Sequence, residues 1–234
     1  MTIPRTAHLL CEVPNDPIDT VLPTQMTNED LTDQKIFDQE IDPLLSSLSL
    51  PSVASVHGES GTGKSIVAAQ TASMNLRLGR TVNVFLLGQT AQVSQFLNQT
   101  MGIGLDLYRH LRTNALRLFQ REPLSFGQLT LAMLAAPQSD LVVVDHVEHV
   151  LGTRVADAER ALAWIMKSRQ RSSLFLAGIE VGTERAWAHV QMDLTRAGRD
   201  VELAHADSIV DIRIGSRKFT RSLRVASTGL EVWT

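Results

Sequence analysis

The run Gly58-Glu59-Ser60-Gly61-Thr62-Gly63-Lys64-Ser65 constrains this chain more than any other stretch. It fits G-x-x-x-x-G-K-[ST], the pattern of a loop that wraps a polyphosphate. Its glycines let the backbone pass close to phosphate oxygens and turn N–H groups inward. Lys64 is placed to reach the terminal phosphates, and the Ser65 hydroxyl suits Mg²⁺. From Ile66 onward, the start of a helix adds a dipole that favours anions. Such a loop needs a strand before it and a helix after it. Ser52 to His57 reads as a short strand, and Ile66 to Leu78 as an alanine-rich helix closed by Gly79.

Downstream, apolar runs and helical periods alternate. Thr81 to Leu87 reads as a buried strand, and Thr90 as the cap of a helix whose Val93, Phe96, Leu97 and Met101 share a face. Ala115 to Phe119 is a short strand. A helix follows from Ser125 through Leu134, stopped by Pro137. Asp140 to Asp145 is an apolar strand ending in a carboxylate. Ala156 to Lys167 is a helix with Ala161, Leu162, Ile165 and Met166 inward, and Ser173 to Ala177 is the next strand. This alternation implies an α/β fold with a mainly parallel sheet and helices on both faces. Ligands of such sheets sit beyond the carboxyl ends of the strands, where the glycine loop and Asp145 both fall. Near the end, Ser208–Ile214 and Arg221–Ala226 alternate like half-exposed strands around a Gly215–Lys218 loop. Leu230–Trp233 is a candidate edge strand, so an antiparallel extension is expected.

Asp145 follows an apolar strand downstream of the phosphate loop, as the second motif of a nucleotide site does. Its carboxylate would serve Mg²⁺ together with Ser65.

The 234 residues suffice for one sizeable core, and 22 basic against 25 acidic residues neither demand nor exclude nucleic acid. Cys11 is the only cysteine and has no internal partner. No apolar run has the length of a membrane span and no secretory core opens the chain, so a cytoplasmic protein without membrane insertion is expected. Residues 12–42 carry nine acids against the single base Lys35. Residues 1–40 therefore read as an acidic, proline-containing extension, either wrapped on the core or partner or simply a solvated tail. Residues 41–234 form the expected domain.

From about Ile41 to the end, the chain resembles the RecA/KaiC-like group of P-loop ATPases. The resemblance rests on Ile41-Asp42-Pro43-Leu44-Leu45 and Leu50-Pro51 before the glycine loop, on Leu87-Gly88-Gln89-Thr90, on Gly102 to Leu107, and on Ala206 to Val210 before a basic hairpin. Small single-domain members, such as the KaiC-like ATPase of the archaellum motor and RecA/RadA paralogues, are the nearest in type. The resemblance implies ATP as ligand, Gly58 to Ile66 as its phosphate cradle, Lys64 and Asp145 in the catalytic machinery, and homo- or hetero-oligomeric assembly. Where the group carries glutamates that orient the attacking water, this chain has Gln89, which hydrogen-bonds water but takes no proton. Glu148 and Glu180 are other carboxylates for that role. Ala177-Gly178 replaces the polar sensor expected after the next strand. The implied function is Mg-ATP binding with weak or partner-stimulated hydrolysis, in a nucleotide-gated scaffold or regulator. The alternatives are a recombination accessory that binds DNA and a domain that holds nucleotide only structurally.

Three further features have two readings each. Asp145-His146-Val147-Glu148-His149 reads as a polar loop beside the nucleotide rather than a transition-metal site, although its histidines are spaced to share a helix face. The remaining histidines read as surface or capping residues. Arg213, Arg217, Lys218, Arg221 and Arg224 form a basic hairpin, suited to a neighbouring subunit's phosphate, a nucleic-acid backbone, an acidic partner or plain solvation. Thr183 to Arg199 reads as an amphipathic helix with Trp187, Val190 and Leu194 inward, in preference to a DNA-facing loop.

Overall fold

The computed structural model describes residues 52–88, 94, 96–98, 107–121, 124–168, 172–179, 185–196, 208–214, 216–226 and 229–233. The acidic extension, the Ile41–Pro51 entry segment, Gln89 and Glu180 lie outside them. In chain order the elements are β1 (Val53–Gly58), α1 (Lys64–Arg77), β2 (Val82–Leu87), α2 (Leu107–Arg112), β3 (Leu116–Arg121), α3 (Phe126–Ala135), β4 (Leu141–Asp145) and a single 3₁₀ turn (Val147–His149). They continue with α4 (Val155–Ser168), β5 (Ser173–Gly178), β6 (Val190–Arg196), β7 (Ser208–Ile214), β8 (Arg217–Ala226) and β9 (Gly229–Trp233).

The strands form one sheet in the order β3-β2-β4-β5-β1-β6-β7-β8-β9. Pairing is parallel from β3 to β6 and antiparallel from β6 to β9. From β1 through β2 to β3 the chain steps toward one edge; from β3 through β4 and β5 to β6 it steps back. Right-handed crossovers then put the helices of the two legs on opposite faces. The apolar core divides accordingly. Val67, Ala68, Ala72 and Leu76 of α1 join Phe96 and the strand residues Val84, Leu86 and Val143. Leu129 and Met133 of α3 and Leu162 and Met166 of α4 join Phe85, Leu87, Val142 and Val144. Adjacent residues of β2 and β4 thus serve opposite faces, which is why both strands are apolar throughout.

Two helix ends explain themselves in the sequence. At the end of α1, Gly79 adopts φ +75°. Its N–H donates to the Leu76 carbonyl and that of Arg80 to Asn75, both at 3.0 Å, so the last carbonyls are satisfied through a left-handed residue. At the start of α3, Ser125 and Gln128 form a reciprocal capping box.

The expected α/β alternation and antiparallel extension are present, with differences at several places. Helix α1 begins at Lys64, two residues before the expected Ile66, because the loop's last glycine feeds straight into the helical turn. Helix α2 was not anticipated: six residues are too few to display a helical period. Most of the helix expected after Thr90 lies outside the described residues, though Phe96 and Leu97 do pack on the α1 face. Arg217 and Lys218 belong to β8 rather than to the hairpin loop. The largest correction concerns Thr183–Arg199. Instead of a helix, residues 190–196 form β6, paired with β1 and β7. Val190, Met192 and Leu194 alternate onto the α1 face, whereas Trp187 packs on the other. Among the described residues, no helix is long and apolar enough to cross a membrane.

Candidate functional site

Strands β1, β5 and β4 are parallel neighbours, so their carboxyl ends open on one side of the sheet. Beyond β1 the chain turns tightly. Gly61 and Gly63 adopt φ +82° and +96°, a region that L side chains rarely enter. Gly58 is required for another reason. A Cβ there would lie 2.5 Å from Thr62 Oγ1 and 2.6 Å from the Leu194 carbonyl oxygen. The buried Thr62 hydroxyl donates to the Glu59 carbonyl at 2.9 Å and closes the loop on itself. Glu59, Ser60 and Gly61 form an exposed tip. Ile66 is half-buried and packs on the α1 core, anchoring the helix start.

Two residues from far along the chain brace this loop. Arg196, the last residue of β6, donates from Nη2 to the Ser60 carbonyl at 2.8 Å. Ser208, the first residue of β7, donates to the buried Thr62 carbonyl at 3.0 Å. These two donors fix the outer carbonyls of the loop, while its Thr62 N–H turns inward to the Glu59 carbonyl at 3.4 Å.

Lys64 opens α1 and is only 6% exposed. Its Nζ donates to the Glu59 carbonyl at 2.8 Å. Burial lowers its pKa from the ordinary lysine value, while the charges of Glu148 and Asp145 partly offset that. The next residue, Ser65, hydrogen-bonds through its hydroxyl to Asp145. Asp145 ends β4, is 2% exposed, and accepts from the His146 N–H at 3.0 Å. Burial raises its pKa; the His146 charge and the Ser65 hydrogen bond act against the rise. The sheet thus brings Lys64, Ser65 and Asp145 together from elements far apart in sequence. Ser65 and Asp145 offer hard oxygen donors, which fit Mg²⁺. The ammonium and the helix start fit an anion. Gln89 lies outside the described residues.

Glu148 also belongs to this group, since it contributes to the field at Lys64 and Asp145. Burial alone would raise its pKa. The hydrogen bond and charge of His146, with the charge of Lys64, outweigh burial and hold the carboxyl below its ordinary range.

Behind the loop lies a polar cluster that sequence reasoning missed. His57, next to Gly58, points to the α4 face and meets Glu159 Oε1 through Nε2 at 2.7 Å. Arg185 Nε donates to the other carboxylate oxygen, Oε2, at 2.8 Å. All three side chains are buried. His57 was expected at the surface or as a cap; the paired carboxylate is what makes its burial tolerable. Gly178 at the end of β5 leaves room for this cluster, because a Cβ there would stand 3.0 Å from Glu159 Oε1. His189 does act as a cap: its Nδ1 accepts from the Val53 N–H at 2.9 Å.

No family model matches the sequence, and no curated protein shows significant similarity to it.

Proposed function

We propose that this protein binds Mg-ATP in a RecA/KaiC-like P-loop site, turns it over slowly, and works as a nucleotide-gated scaffold or regulator of a larger assembly. The observation that carries the reading is the convergence of three groups at the carboxyl ends of β1 and β4. They are a buried lysine at a helix start, a serine hydroxyl beside it, and a buried carboxylate hydrogen-bonded to that serine. Gly58 to Ile66 would cradle the phosphates with backbone N–H groups, and Lys64 would neutralise their charge. Ser65 and Asp145 would hold Mg²⁺, which screens phosphate charge when bound. The strand order and the antiparallel extension support the RecA-like part of the reading.

Slow turnover follows from the state of a second carboxylate beside the site, Glu148. Glu148 accepts from His146 and is held more acidic than usual, so it is a poor proton acceptor at neutral pH. The DNA-accessory alternative gains less support. Arg185 is paired with Glu159 in the interior and Arg196 donates to the loop.

Calorimetry with Mg-ATP on the full chain tests the proposal. The ammonium supplies charge-assisted hydrogen bonds worth about 1.5–3 kcal/mol each. Lys64→Ala should therefore weaken binding roughly 10–100-fold and abolish turnover. Absence of heat or affinity for any purine triphosphate sinks the proposal. Binding without Lys64-dependent turnover leaves only the structural-nucleotide alternative. Particle mass measured with no nucleotide, ADP and a non-hydrolysable ATP analogue tests the scaffold role: a mass that never changes removes nucleotide gating.

A further inference from the structure

The turn after β4 carries three metal-type ligands on one side. His146, Glu148 and His149 each offer a donor atom, and the three atoms lie within 4.8 Å of one another. Local structure explains why. A 3₁₀ turn has 3.0 residues per turn, so residues i and i+3 eclipse. The His149 N–H donates to the His146 carbonyl at 2.9 Å, which stacks the two histidines above one another. Their ring centroids are 5.7 Å apart. Val147 and Val150 are buried in the core below and pin the turn from its apolar side. The polar side is thereby held at the rim of the phosphate loop, half-buried rather than solvated.

Two observations point beyond a polar turn. His146 sits at φ +62°, in the left-handed region that non-glycine residues seldom occupy and that collects at functional sites. Glu148 Oε2 is buried and has no hydrogen-bond partner among the described residues. A buried carboxylate oxygen without a donor is costly, and a cation bound by both oxygens of Glu148 removes the cost.

We infer that His146, Glu148 and His149 form a binding site for a transition-metal dication of the zinc type, separate from the Ser65–Asp145 pair. Two imidazoles and one carboxylate suit Zn²⁺ and its neighbours rather than Mg²⁺, which prefers oxygen. Zinc bonds of about 2.0–2.2 Å place tetrahedral ligands roughly 3.4 Å apart. His146 Nδ1 and Glu148 Oε1 already stand at 3.2 Å. His149 offers the third donor, within 4.8 Å of the other two, leaving a fourth position open. Nε2 of His146 stands 3.8 Å from Asp145 Oδ2, an electrostatic contact longer than a hydrogen bond. Metal here would engage Glu148 and reach the phosphate site through Asp145, so zinc would slow any turnover in which those carboxylates take part.

The test uses Zn²⁺ alone, without nucleotide, and so stands apart from the nucleotide proposal. Metal-free full-length protein is titrated against a chromogenic zinc chelator. One zinc per chain is expected, undisturbed by millimolar Mg²⁺. His149→Gln and His146→Asn, the second chosen because asparagine tolerates φ > 0, should each weaken binding at least ~10-fold, with circular dichroism unchanged. Retained affinity in either folded variant, or no stoichiometric uptake, overturns the site. Co²⁺ added to the unmodified protein gives a readout independent of variant folding. Visible d–d bands of a low-coordinate nitrogen–oxygen site are expected, and a spectrum matching aqueous Co²⁺ overturns the inference.

Discussion

Glu159 is the residue on which the interior electrostatics turn. It serves two cations or donors at once, His57 from β1 and Arg185 from the approach to β6. Truncating one member of such a buried set leaves its partners desolvated and unpaired, a loss of about 3–5 kcal/mol. Glu159→Ala should therefore shift the urea midpoint strongly. Glu159→Gln, which keeps the shape and one of the two acceptors but not the charge, should cost less. Equal loss in the two variants would show that packing, not charge, is what Glu159 supplies. At this scale the sequence was legible where function needs adjacent residues. Gly58 to Ser65 stand out because the loop's positive-φ glycines and its lysine are contiguous in sequence. The His57–Glu159 pair was not legible, since its members lie 102 positions apart and neither carries a local signature. The three ligands after β4 fall between these cases. Their spacing is visible, but whether it brings them together depends on a 3₁₀ turn rather than an α-helical one.

Among the elements, α3 has the clearest boundary and little burial. Of its ten residues only Leu129 and Met133 are buried, while Leu131 and Leu134 face solvent. With little burial to stabilise it, the helix depends on its cap. Ser125→Ala removes the hydroxyl that accepts from the Gln128 N–H, leaving the backbone half of the box, and should cost about 1 kcal/mol, within a range of roughly 0.5–2. Thermal unfolding followed by circular dichroism reads this, and an unchanged midpoint would show that the N-terminus of α3 is held by other contacts. The sequence marked this helix start correctly because Ser125 and Gln128 sit three apart before an apolar run. It misled at β6. Trp187, Val190 and Leu194 match a helical stripe, while Val190, Met192 and Leu194 match a strand equally well. Pairing with β1 and β7 decides between them, and no local window contains that pairing.

For the whole molecule, the sheet is a composite. Strands β2, β4, β5 and β1 are covered by helices on both faces, whereas β7 to β9 continue as an antiparallel ribbon. Opening free energy should follow that division. In native-state hydrogen exchange, amides of β4, β5 and β1 should exchange last and those of β8 and β9 earlier, by an order of magnitude or more in rate (~1.4 kcal/mol per decade). Uniform exchange across the sheet would mean that it opens as one cooperative unit. The α/β class was readable from the alternation of buried strands and periodic helices. The order of strands was not, because a linear pattern fixes neighbours along the chain and not neighbours across the sheet.

The donors that hold the Ser60 and Thr62 carbonyls arrive late. They are 136 and 146 positions downstream. During synthesis, a nascent polypeptide that has already formed β1 and α1 still lacks the two clasps that brace the glycine loop. Until residue 208 has left the ribosome, the glycine loop lacks its second clasp, so its final shape is set long after the loop itself has been made.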